Sequence, residues 1–439
     1  MKKIICLFIV MTLVTSNIPL TATAEKPKTD TLRVGLFYGS AAKGNCTLTS
    51  ESGFSVGTET DRKYTEHYTI NDTTITVTMS EDGIASFADK QFDCNNDVRL
   101  TFMPRGDNFI STPDNSYRGG IEILNAGSGN IAIINLISVD EYVYGVVGVE
   151  MSSSWHIEAL KAQAVCARNY ALSSLNKHKA FGFDVCTSTD CQVYSAVNAE
   201  SESTIRAGQE TAGKYLMYNG SLAETLFFSC SGGYTANAKY VWGNEVAYLK
   251  GVKDPYENPN TTSRYNWTFT YTCDEIKQRL NSVGVDIGDI VNITTTADSE
   301  SGYVYELVIT GTKGTHTYKN EKTRTWMGWD KLYSQRYTVT PVTQSGAEVY
   351  AKSAKETGIL KNFVAISGSG NVTQLSYPIV MKSSNQTHTI GSNVYAFRFD
   401  GHGWGHGVGM SQYGAKGMAE QGFSYKEILE FYFGGAYLE

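Results

Sequence analysis

The sequence lacks any hydrophobic run long enough to cross a membrane. Its most apolar stretch, residues 4–14, is well short of the ~20 residues that a membrane-spanning helix needs. Two lysines precede this stretch, and a small-x-small cleavage site ends at Ala24. Residues 1–24 are therefore predicted to be an export signal, with an uncleaved N-terminal anchor as the alternative. After cleavage we expect a protein outside the cytoplasm with no integral membrane span.

The sequence also has no basic excess. Its 439 residues carry a formal net charge of -7, and no run of Lys and Arg is interleaved with aromatics, so the usual features of a nucleic-acid-binding protein are missing. Charged residues make up 18%, below the ~25% of ordinary globular domains. Tyrosine, by contrast, is frequent. Its flat apolar face and hydroxyl suit sugar rings, although tyrosine is equally a residue of strands.

A complete disulfide framework is missing as well. One of the eight cysteines lies in the signal, which leaves an odd number in the mature chain. Cysteines scattered along a chain of this length are more often buried free thiols, together with one cluster that has a separate role. The closely spaced Cys186 and Cys191 are the candidates for that cluster.

The residues that are present predict an α+β fold, with a mixed, strand-rich scaffold and a helical segment. Residues 31–140 are β-rich, with strands over 32–38 and 73–78. A hairpin is predicted over 120–137, turning at 127–130, and a second one over 303–319, turning at 311–314.

Between the two hairpins the periodicity becomes helical. From Trp155 to about Asn176, apolar residues recur three or four apart, and small alanines on that face predict tight packing. Serines 152–154 offer cap oxygens just upstream. Residues 341–400 carry no usable motif and are predicted to be an insertion or small subdomain. Residues 401–439 form a Gly/His-rich loop and two short helices, the last opened by a capping box from Ser424 to Glu427.

The first candidate for chemistry is Glu150. It follows a valine-rich stretch and precedes Met151 and Trp155, so burial among these neighbours would raise the pKa of its carboxyl. A glutamic acid that stays protonated near neutral pH can donate its proton to a leaving oxygen, as glycoside cleavage requires. The plainer interpretation is a glutamate at a helix start or in a solvated loop.

The second candidate is a metal site. His178, Cys186 and Cys191 offer one imidazole and two thiolates within 14 residues, which suits tetrahedral zinc with a fourth position left over. The spacing is not that of a standard zinc finger. A Cys186–Cys191 disulfide, natural in an exported protein, and a pair of free thiols are the alternatives.

Two glycine-rich segments complete the candidates. In residues 401–409, five glycines between and around His402 and His406 argue against a metal-binding helix, so these histidines are predicted to hydrogen-bond substrate. A tight structural turn is the alternative. Around Cys230 and Ser231, a Ser or Cys nucleophile is conceivable, but the glycine that a nucleophile elbow needs before the serine is missing. A groove wall or a plain strand and turn explains this segment equally well.

Taken together, these segments resemble the SpoIID/LytB family of bacterial cell-wall proteins. Four motifs carry the resemblance, in the same order along the chain, from about residue 120 to the C-terminus. They are Glu150-Met151 with Trp155 and the helix residues 158–168; Cys191-Gln192-Val193-Tyr194; Ser231-Gly232-Gly233; and residues 405–412.

The resemblance implies a lytic transglycosylase that cleaves between N-acetylmuramic acid and N-acetylglucosamine and leaves a 1,6-anhydro sugar. Residues 141–340 would be the catalytic core, and Glu150 matches the catalytic acid of the family. The absence of an evident second carboxylate fits this chemistry, because the C6 hydroxyl of the substrate attacks the anomeric carbon in place of water or a carboxylate. A sporulation or wall-remodelling role, a cell-wall location and glycan strands as the partner follow from the same resemblance.

The resemblance also implies further site residues. Zinc is bound by some members, so one structural zinc on His178, Cys186 and Cys191 is expected. The motif residues predicted to contact the glycan are Lys161, Arg168, Gln192, Tyr194, Ser231, Tyr234, His402, His406, Ser411 and Gln412. Two positions depart from the family pattern, since Ser152 replaces a common Pro and Cys166 a common Ala, but neither change removes a reactive group.

Two rival functions remain at this stage. The first is the non-catalytic branch of the family, a wall-binding protein that stimulates an N-acetylmuramoyl-L-alanine amidase, which would make that amidase a partner. The second is a Cys-type amidase or peptidase acting on the peptide stems, with Cys191 or Cys230 as nucleophile and His402 or His406 as base.

Overall fold

The protein has the predicted α+β architecture. The structure, a computed structural model, describes residues 29–60, 62–106, 109–262, 264–343 and 394–439, together with six short strands between 347 and 390. Helices and strands are mixed along the chain, and the strands form several sheets. The predicted signal, residues 1–24, lies outside the described residues. No helix in the described part of the chain is both long and apolar enough to cross a membrane.

The N-terminal part is a β scaffold of two sheets that share one hydrophobic core. Its strands are β1 (Thr31–Phe37), β2 (Asn45–Thr49), β3 (Phe54–Thr60), β4 (Lys63–Ile70), β5 (Thr74–Met79), β6 (Ile84–Phe87), β7 (Lys90–Asp93), β8 (Leu100–Pro104), β9 (Ile110–Ser111), β10 (Ser116–Tyr117), β11 (Gly120–Gly127), β12 (Asn130–Ser138) and β13 (Val185–Cys186). One sheet has the order β13-β1-β12-β11-β8-β3-β4 and the other β10-β9-β2-β5-β6-β7.

The predicted strands of this scaffold are confirmed. β1 and β5 cover the two expected segments, and β11 and β12 pair as the expected antiparallel hairpin. β5 shows why the alternating pattern works, because Ile75, Val77 and Met79 are buried while the threonines between them are exposed. β1 lies between β12 and the short parallel strand β13, which brings Cys186 to the edge of the scaffold.

Helix α1 (Val139–Glu150) continues directly from β12. The Ser138 hydroxyl accepts the Glu141 N–H at 3.2 Å and caps the first turn. Most valines and both tyrosines of α1 are buried, with a continuous buried run over residues 142–147. Gly148 lets α1 approach the segment around Ala199 closely, since a Cβ on it would lie 1.8 Å from the carbonyl oxygen of Ala199. Helix formation here places Glu150 at a helix end.

Helix α2 (Ile157–Ser173) lies within the predicted helical segment. Its alanine face is confirmed, since Ala164, Ala167 and Ala171 are fully buried. The predicted serine cap is wrong. The N-cap is His156, whose Nδ1 accepts the Glu158 N–H at 3.3 Å. Because α2 starts at Ile157, serines 152–154 lie too far upstream for their oxygens to reach the free N–H groups of the first turn.

Five short elements follow. They are α3 (Glu202–Glu210), β14 (Leu216–Tyr218), β15 (Ser221–Leu222), β16 (Phe227–Phe228) and α4 (Ala238–Trp242). Of these, β16 and α4 supply residues to the cleft that contains Glu150.

A second hydrophobic core begins at residue 266. Its elements are β17 (Asn266–Thr272), α5 (Cys273–Ser282), β18 (Ile290–Ala297), β19 (Val304–Gly311), β20 (Gly314–Lys319), α6 (Lys322–Thr325) and β21 (Tyr337–Thr343). β19 and β20 confirm the second predicted hairpin. This core holds the last part of the segment assigned above to residues 141–340.

Most of the predicted insertion lies between two paired strands. The short strands are β22 (Ala347–Ala351), β23 (Ala354–Gly358), β24 (Val364–Ile366), β25 (Val372–Gln374), β26 (Ile379–Lys382) and β27 (Thr387–Ile390), followed by β28 (Val394–His402). β28 pairs with β21 on one side and β17 on the other, and Thr343 is opposite Val394. The chain therefore leaves the second core at Thr343 and returns to it at Val394, directly opposite. The predicted domain boundaries stay a prediction.

The C-terminal segment returns to the first core. It contains β29 (Met410–Ser411), α7 (Gln412–Glu420), α8 (Tyr425–Tyr432) and β30 (Tyr437–Leu438). The two predicted short helices are present, and the Ser424–Glu427 capping box opens α8. β29 pairs in parallel with β16, although 183 residues separate Phe227 from Met410 (410 − 227). This pairing brings the glycine-rich loop beside the end of α1.

Candidate active site

Glu150 is the last residue of α1, and its carboxyl lies in a cleft. The side-chain amide of Gln412 donates a hydrogen bond to its Oε2 at 3.1 Å. Burial raises the pKa of the Glu150 carboxyl above its ordinary value, while hydrogen bonds from Gln412 and from the Val193 backbone act in the opposite direction. A negative charge at the C-terminal end of a helix is also disfavoured. The environment therefore keeps Glu150 protonated to higher pH than an ordinary glutamic acid.

The cleft has a volume of about 770 Å³ and collects residues from distant parts of the chain. Three of the four motifs supply side chains to its wall, and the fourth lies directly behind it. Its lining residues are Glu150, Ser152, Trp155, Tyr170, Thr189, Asp190, Cys191, Gln192, Val193, Leu226, Phe227, Phe228, Ser229, Trp242, Trp404, Gly405, His406, Gln412 and Tyr413.

The glycine-rich loop owes its composition to close backbone contacts. Trp404 and Cys230 exchange backbone hydrogen bonds of 2.7 and 3.0 Å, which fasten the loop to the wall segment. Gly405 has a φ of +120°, and a Cβ there would lie 2.7 Å from the Cβ of Phe228. A side chain at this position would push the loop off the cleft wall.

His406 lines the cleft, but both of its ring nitrogens have protein partners. Its Nε2 donates to the carbonyl oxygen of Phe227 at 3.0 Å, and its Nδ1 accepts the Val408 N–H at 3.1 Å. Burial, helped by the charge of Arg324, lowers the pKa of His406 to about 4. The imidazole is therefore neutral, and it presents a ring to the cleft without a free nitrogen.

His402, the other predicted loop histidine, is not among the residues that line this cleft. Its Nδ1 is 2.7 Å from the side-chain oxygen of Asn266, at the end of β17. Burial and the nearby Arg336 charge lower its pKa.

Of the predicted substrate-binding residues, Gln192, His406 and Gln412 line the cleft. Gln192 is anchored, since its amide donates to the carbonyl oxygen of Ala167 at 3.0 Å. The other predicted residues are not in this lining, and each has a structural partner elsewhere.

Arg168 has the most extensive structural contacts of these residues. Its guanidinium is fully buried and lies 2.8 Å from the carboxylate of Asp140, at the start of α1. It also donates to the carbonyl oxygen of Gly208 in α3 at 3.3 Å. Arg168 therefore joins three helices.

Tyr194 and Ser231 are likewise buried. Tyr194 donates its hydroxyl to Asn135 at 2.9 Å, and Ser231 donates to Asp254 at 3.1 Å.

Lys161, Tyr234 and Ser411 complete the set outside the lining. Lys161 forms ion pairs of 2.8 Å with Glu158 and 2.6 Å with Glu210. The backbone oxygen of Tyr234 accepts the Tyr303 hydroxyl at 3.3 Å. Ser411 is fully buried at the start of α7.

The predicted metal ligands come together and gain a fourth member. Ligand atoms of His178, Cys186, Asp190 and Cys191 all lie within 4.8 Å of one another. Ligands of a tetrahedral zinc, bound at ~2.0–2.3 Å, fall within this spacing, so the residues fit the ion. Cys186 and Cys191 are free thiols in the structure, not a disulfide. Sequence reasoning missed Asp190, although its place next to Cys191 was a usable signal.

This cluster forms part of the cleft wall, since Asp190 and Cys191 both line it. The His178 Nε2 lies 3.3 Å from the Cys191 sulfur and 3.2 Å from the Asp190 carboxylate. A metal held here would fix the loop that carries Val193 against Glu150.

The aromatic lining was also missed. Trp242 and Trp404 are exposed by 39% and 38% in the cleft wall. Trp404 lies within the glycine-rich segment 401–409, but nothing near Trp242 in the sequence indicated that α4 would reach the cleft.

An α+β scaffold that brings these motifs to one cleft defines a protein of the SpoIID/LytB type. Residues 127–218 match the family model described as "Stage II sporulation protein", and residues 237–358 match one described as a "Domain of unknown function (DUF8618)". The chain is 30% identical over 322 residues to "Stage II sporulation protein D" of Bacillus amyloliquefaciens, covering 68% of this chain and 73% of that protein. The chain belongs to the SpoIID family, which confirms the resemblance seen in the sequence.

Two further relatives come from Bacillus subtilis (strain 168). The protein named "Stage II sporulation protein D" is 28% identical over 338 residues, with 72% of this chain and 80% of that protein covered. The "Amidase enhancer" is 33% identical over 311 residues, which covers 67% of this chain but only 40% of that longer protein.

Proposed function

We propose that this chain is an exported peptidoglycan lytic transglycosylase, which cleaves the bond between N-acetylmuramic acid and N-acetylglucosamine and leaves 1,6-anhydro ends. The observation that carries the proposal is the Glu150 carboxyl, which lies in the cleft with its pKa raised by burial. Family membership supports a substrate in the bacterial cell wall. Sporulation or wall remodelling is the corresponding setting.

In this reaction Glu150 acts first as an acid and then as a base. It donates its proton to the leaving glycosidic oxygen, and the resulting carboxylate takes a proton from the C6 hydroxyl as that oxygen bonds to the anomeric carbon. The two proton transfers restore Glu150 at the end of each cycle. Gln412 and the Val193 N–H stabilise the carboxylate between the steps. Attack within the same sugar ring gains from proximity.

A single free carboxyl in the cleft favours attack by the C6 hydroxyl. Among the described lining residues, Asp190 is the other carboxylate, and it is bound to Lys177 at 3.3 Å and His178 at 3.2 Å. It therefore belongs to the metal cluster and is not placed to activate water or attack a sugar.

The aromatic side chains of the cleft suit sugar rings. Trp155, Trp242, Trp404 and Tyr413 offer flat apolar faces around Glu150, and sugar rings present apolar faces of similar size. Gln192 and Gln412 belong to the same lining, where their amides hold the Ala167 carbonyl oxygen and the Glu150 carboxyl. We assign the substrate-binding role to these residues, with His406 supplying a ring to the wall.

We also assign a structural zinc to His178, Cys186, Cys191 and Asp190. The ion would supply a crosslink and no reactive group, because the four side chains complete a tetrahedral set. Its effect on the reaction would be to hold the loop from Cys186 to Val193 in place.

A non-catalytic stimulator of an N-acetylmuramoyl-L-alanine amidase is the alternative function. The 33% identity to a protein named "Amidase enhancer" supports it, and the same cleft would then bind glycan without cutting it. Under this alternative a cell-wall amidase is a direct partner.

The geometry argues against a Cys-type amidase or peptidase. A catalytic imidazole needs one nitrogen facing the thiol and the other facing its orienting group, but Cys191 and Asp190 both approach the same nitrogen of His178. Cys230 is buried, and burial together with the charge of Glu257 raises its pKa. His406 has no free nitrogen to act as a base.

Digestion of purified glycan strands tests the proposal. Strands with and without stem peptides are incubated with the wild-type protein and with Glu150→Gln, and product ends are identified by mass spectrometry. Anhydro ends that disappear in the variant support the transglycosylase, and reducing ends would indicate a hydrolase. No cleavage, combined with stimulation of an added amidase, would support the alternative.

A further inference from the structure

A second carboxylate, Glu257, is buried behind the cleft where segments of its wall meet. Its Oε1 accepts hydrogen bonds from the Ser231 N–H at 2.6 Å and from the Ser411 hydroxyl. Its Oε2 accepts hydrogen bonds from the Gly232 N–H at 2.9 Å and the Cys230 thiol at 3.2 Å. These donors satisfy a carboxylate that is outside the cleft lining and that the proposed reaction does not use.

Ser411 connects this carboxylate to the acid of the cleft. Its hydroxyl oxygen accepts the Gly414 N–H at 3.2 Å and caps α7, while its hydrogen faces two acceptors, the nearer Glu257 carboxylate and the Ser229 carbonyl oxygen at 3.4 Å. A hydroxyl has only one hydrogen. When that hydrogen points to Glu257, the lone pairs of the Ser411 oxygen are turned toward the N–H groups of the first turn of α7. Gln412 is the first residue of α7, and its amide donates to Glu150. Glu257 is therefore linked to the Gln412–Glu150 hydrogen bond through Ser411, the residue that precedes Gln412.

We propose that Glu257 is a positioning residue for the Glu150–Gln412 pair and that it acts through Ser411. The inference rests on the proposed function, in which Glu150 is the acid. The inference itself concerns the ionisation of Glu150 in the free protein, and this ionisation is measured without substrate. A failure of lytic activity and a failure of this inference are therefore distinguishable.

Positioning and simple charge repulsion predict opposite effects. If Glu257 aligns Gln412, its removal weakens a hydrogen bond to the Glu150 carboxylate and raises the pKa of Glu150. If Glu257 acts only as a nearby negative charge, its removal lowers that pKa. The other titratable groups that line the cleft are Tyr170, Asp190, Cys191, His406 and Tyr413. They stay unchanged in every variant below.

The test is an NMR titration of the protein labelled with ¹³C in its glutamate side-chain carboxyls, with the Glu150 signal identified by its loss in Glu150→Gln. Gln412→Met is expected to raise the pKa of Glu150 by about one unit. Glu257→Gln should raise it in the same direction, and the double variant should add nothing further. An unchanged or lowered pKa in Glu257→Gln, or additive shifts in the double variant, would overturn the proposal.

Asp254→Asn is the matched control. Asp254 lies in the same buried network, where it accepts hydrogen bonds from the hydroxyls of Ser231 at 3.1 Å and Tyr432 at 2.8 Å, but it does not contact Ser411. Asp254→Asn should not raise the pKa of Glu150. If Glu257→Gln fails to fold, Ser411→Ala breaks the same connection and should produce the same rise. If Ser411→Ala folds and its Glu150 pKa is the same as in the wild-type protein, the proposal is contradicted.

Discussion

At the residue scale, Glu150 combines a buried carboxyl with two hydrogen bonds that keep it able to ionise. Burial is the larger effect, so the pKa is raised. A folded-state pKa above the unfolded value contributes stability that is fully present below the unfolded pKa and is lost as pH rises through the folded pKa. The acid of the proposed reaction therefore reduces the stability of the protein at neutral pH.

Glu150→Gln should consequently separate activity from stability. Cleavage should fall by about 10²–10⁴-fold, the usual contribution of a general acid. Because glutamine does not ionise, the melting temperature of the variant relative to wild type should increase as pH rises from acidic to neutral, as followed by circular dichroism. Glu158→Gln, a change to a glutamate outside the cleft, serves as the control. A stability difference independent of pH would contradict the buried ionisation.

The exposed tryptophans of the cleft are the second test at this scale. Trp242→Ala or Trp404→Ala should raise the KM for glycan strands by about 5–10-fold, since a lost aromatic contact is worth ~1 kcal/mol. Trp329→Ala is the matched control, because Trp329 is 55% exposed but lies outside the cleft. Equal KM values for the cleft variants and the control would exclude a sugar-stacking wall.

At the element scale, α1 reaches its position because Gly145 and Gly148 allow its backbone to pack against residues 196–199. Gly148→Ala would place a methyl group 1.8 Å from the Ala199 carbonyl oxygen, a clash that only movement of α1 can relieve. We expect a loss of about 1–3 kcal/mol in the free energy of unfolding, measured by denaturant titration, and weaker cleavage because Glu150 is two residues away. Gly434→Ala should be neutral, since nothing lies within 4 Å of its added methyl. Equal stability of the two variants would contradict this packing.

The loop from Cys186 to Val193 is the second element that positions the acid. Purified protein should contain one zinc per chain by elemental analysis, and Cys186→Ser or Cys191→Ser should lose the ion and melt at lower temperature. Asp190→Asn should weaken zinc retention against a chelator. Cys273→Ser changes a half-buried thiol outside the cluster and should keep the metal. Full metal content in the Cys191→Ser protein would contradict the assigned ligands.

At the scale of the whole molecule, local patterns predicted the elements better than their meeting points. Alternation predicted β5 and both hairpins, and three-to-four spacing predicted α2. By contrast, the valine-rich segment of α1 has no distinct helical pattern, because its β-branched valines favour strands and its glycines favour neither helices nor strands. The parallel pairing of β16 with β29 joins residues far apart in sequence, and no local periodicity reports it.

The candidate site shows the same division. Motif matching predicted Glu150 and Gln412, and the ligand types and close spacing of His178, Cys186 and Cys191 predicted three members of the metal cluster. Buried Arg168 and Ser411 looked like binding residues, since a motif records which side chain is needed but not where it points. Trp242 carried no motif, and only the folded chain brings α4 to the cleft.

The most direct test of the central claim is the origin of the oxygen at the newly formed sugar ends. Glycan strands are digested in water enriched in the heavy isotope of oxygen, and the products are separated and weighed by mass spectrometry. The account predicts anhydro ends that carry no heavy oxygen, because the C6 hydroxyl of the substrate closes the ring. Reducing ends that carry the heavy isotope would show that water is the nucleophile and would contradict the account.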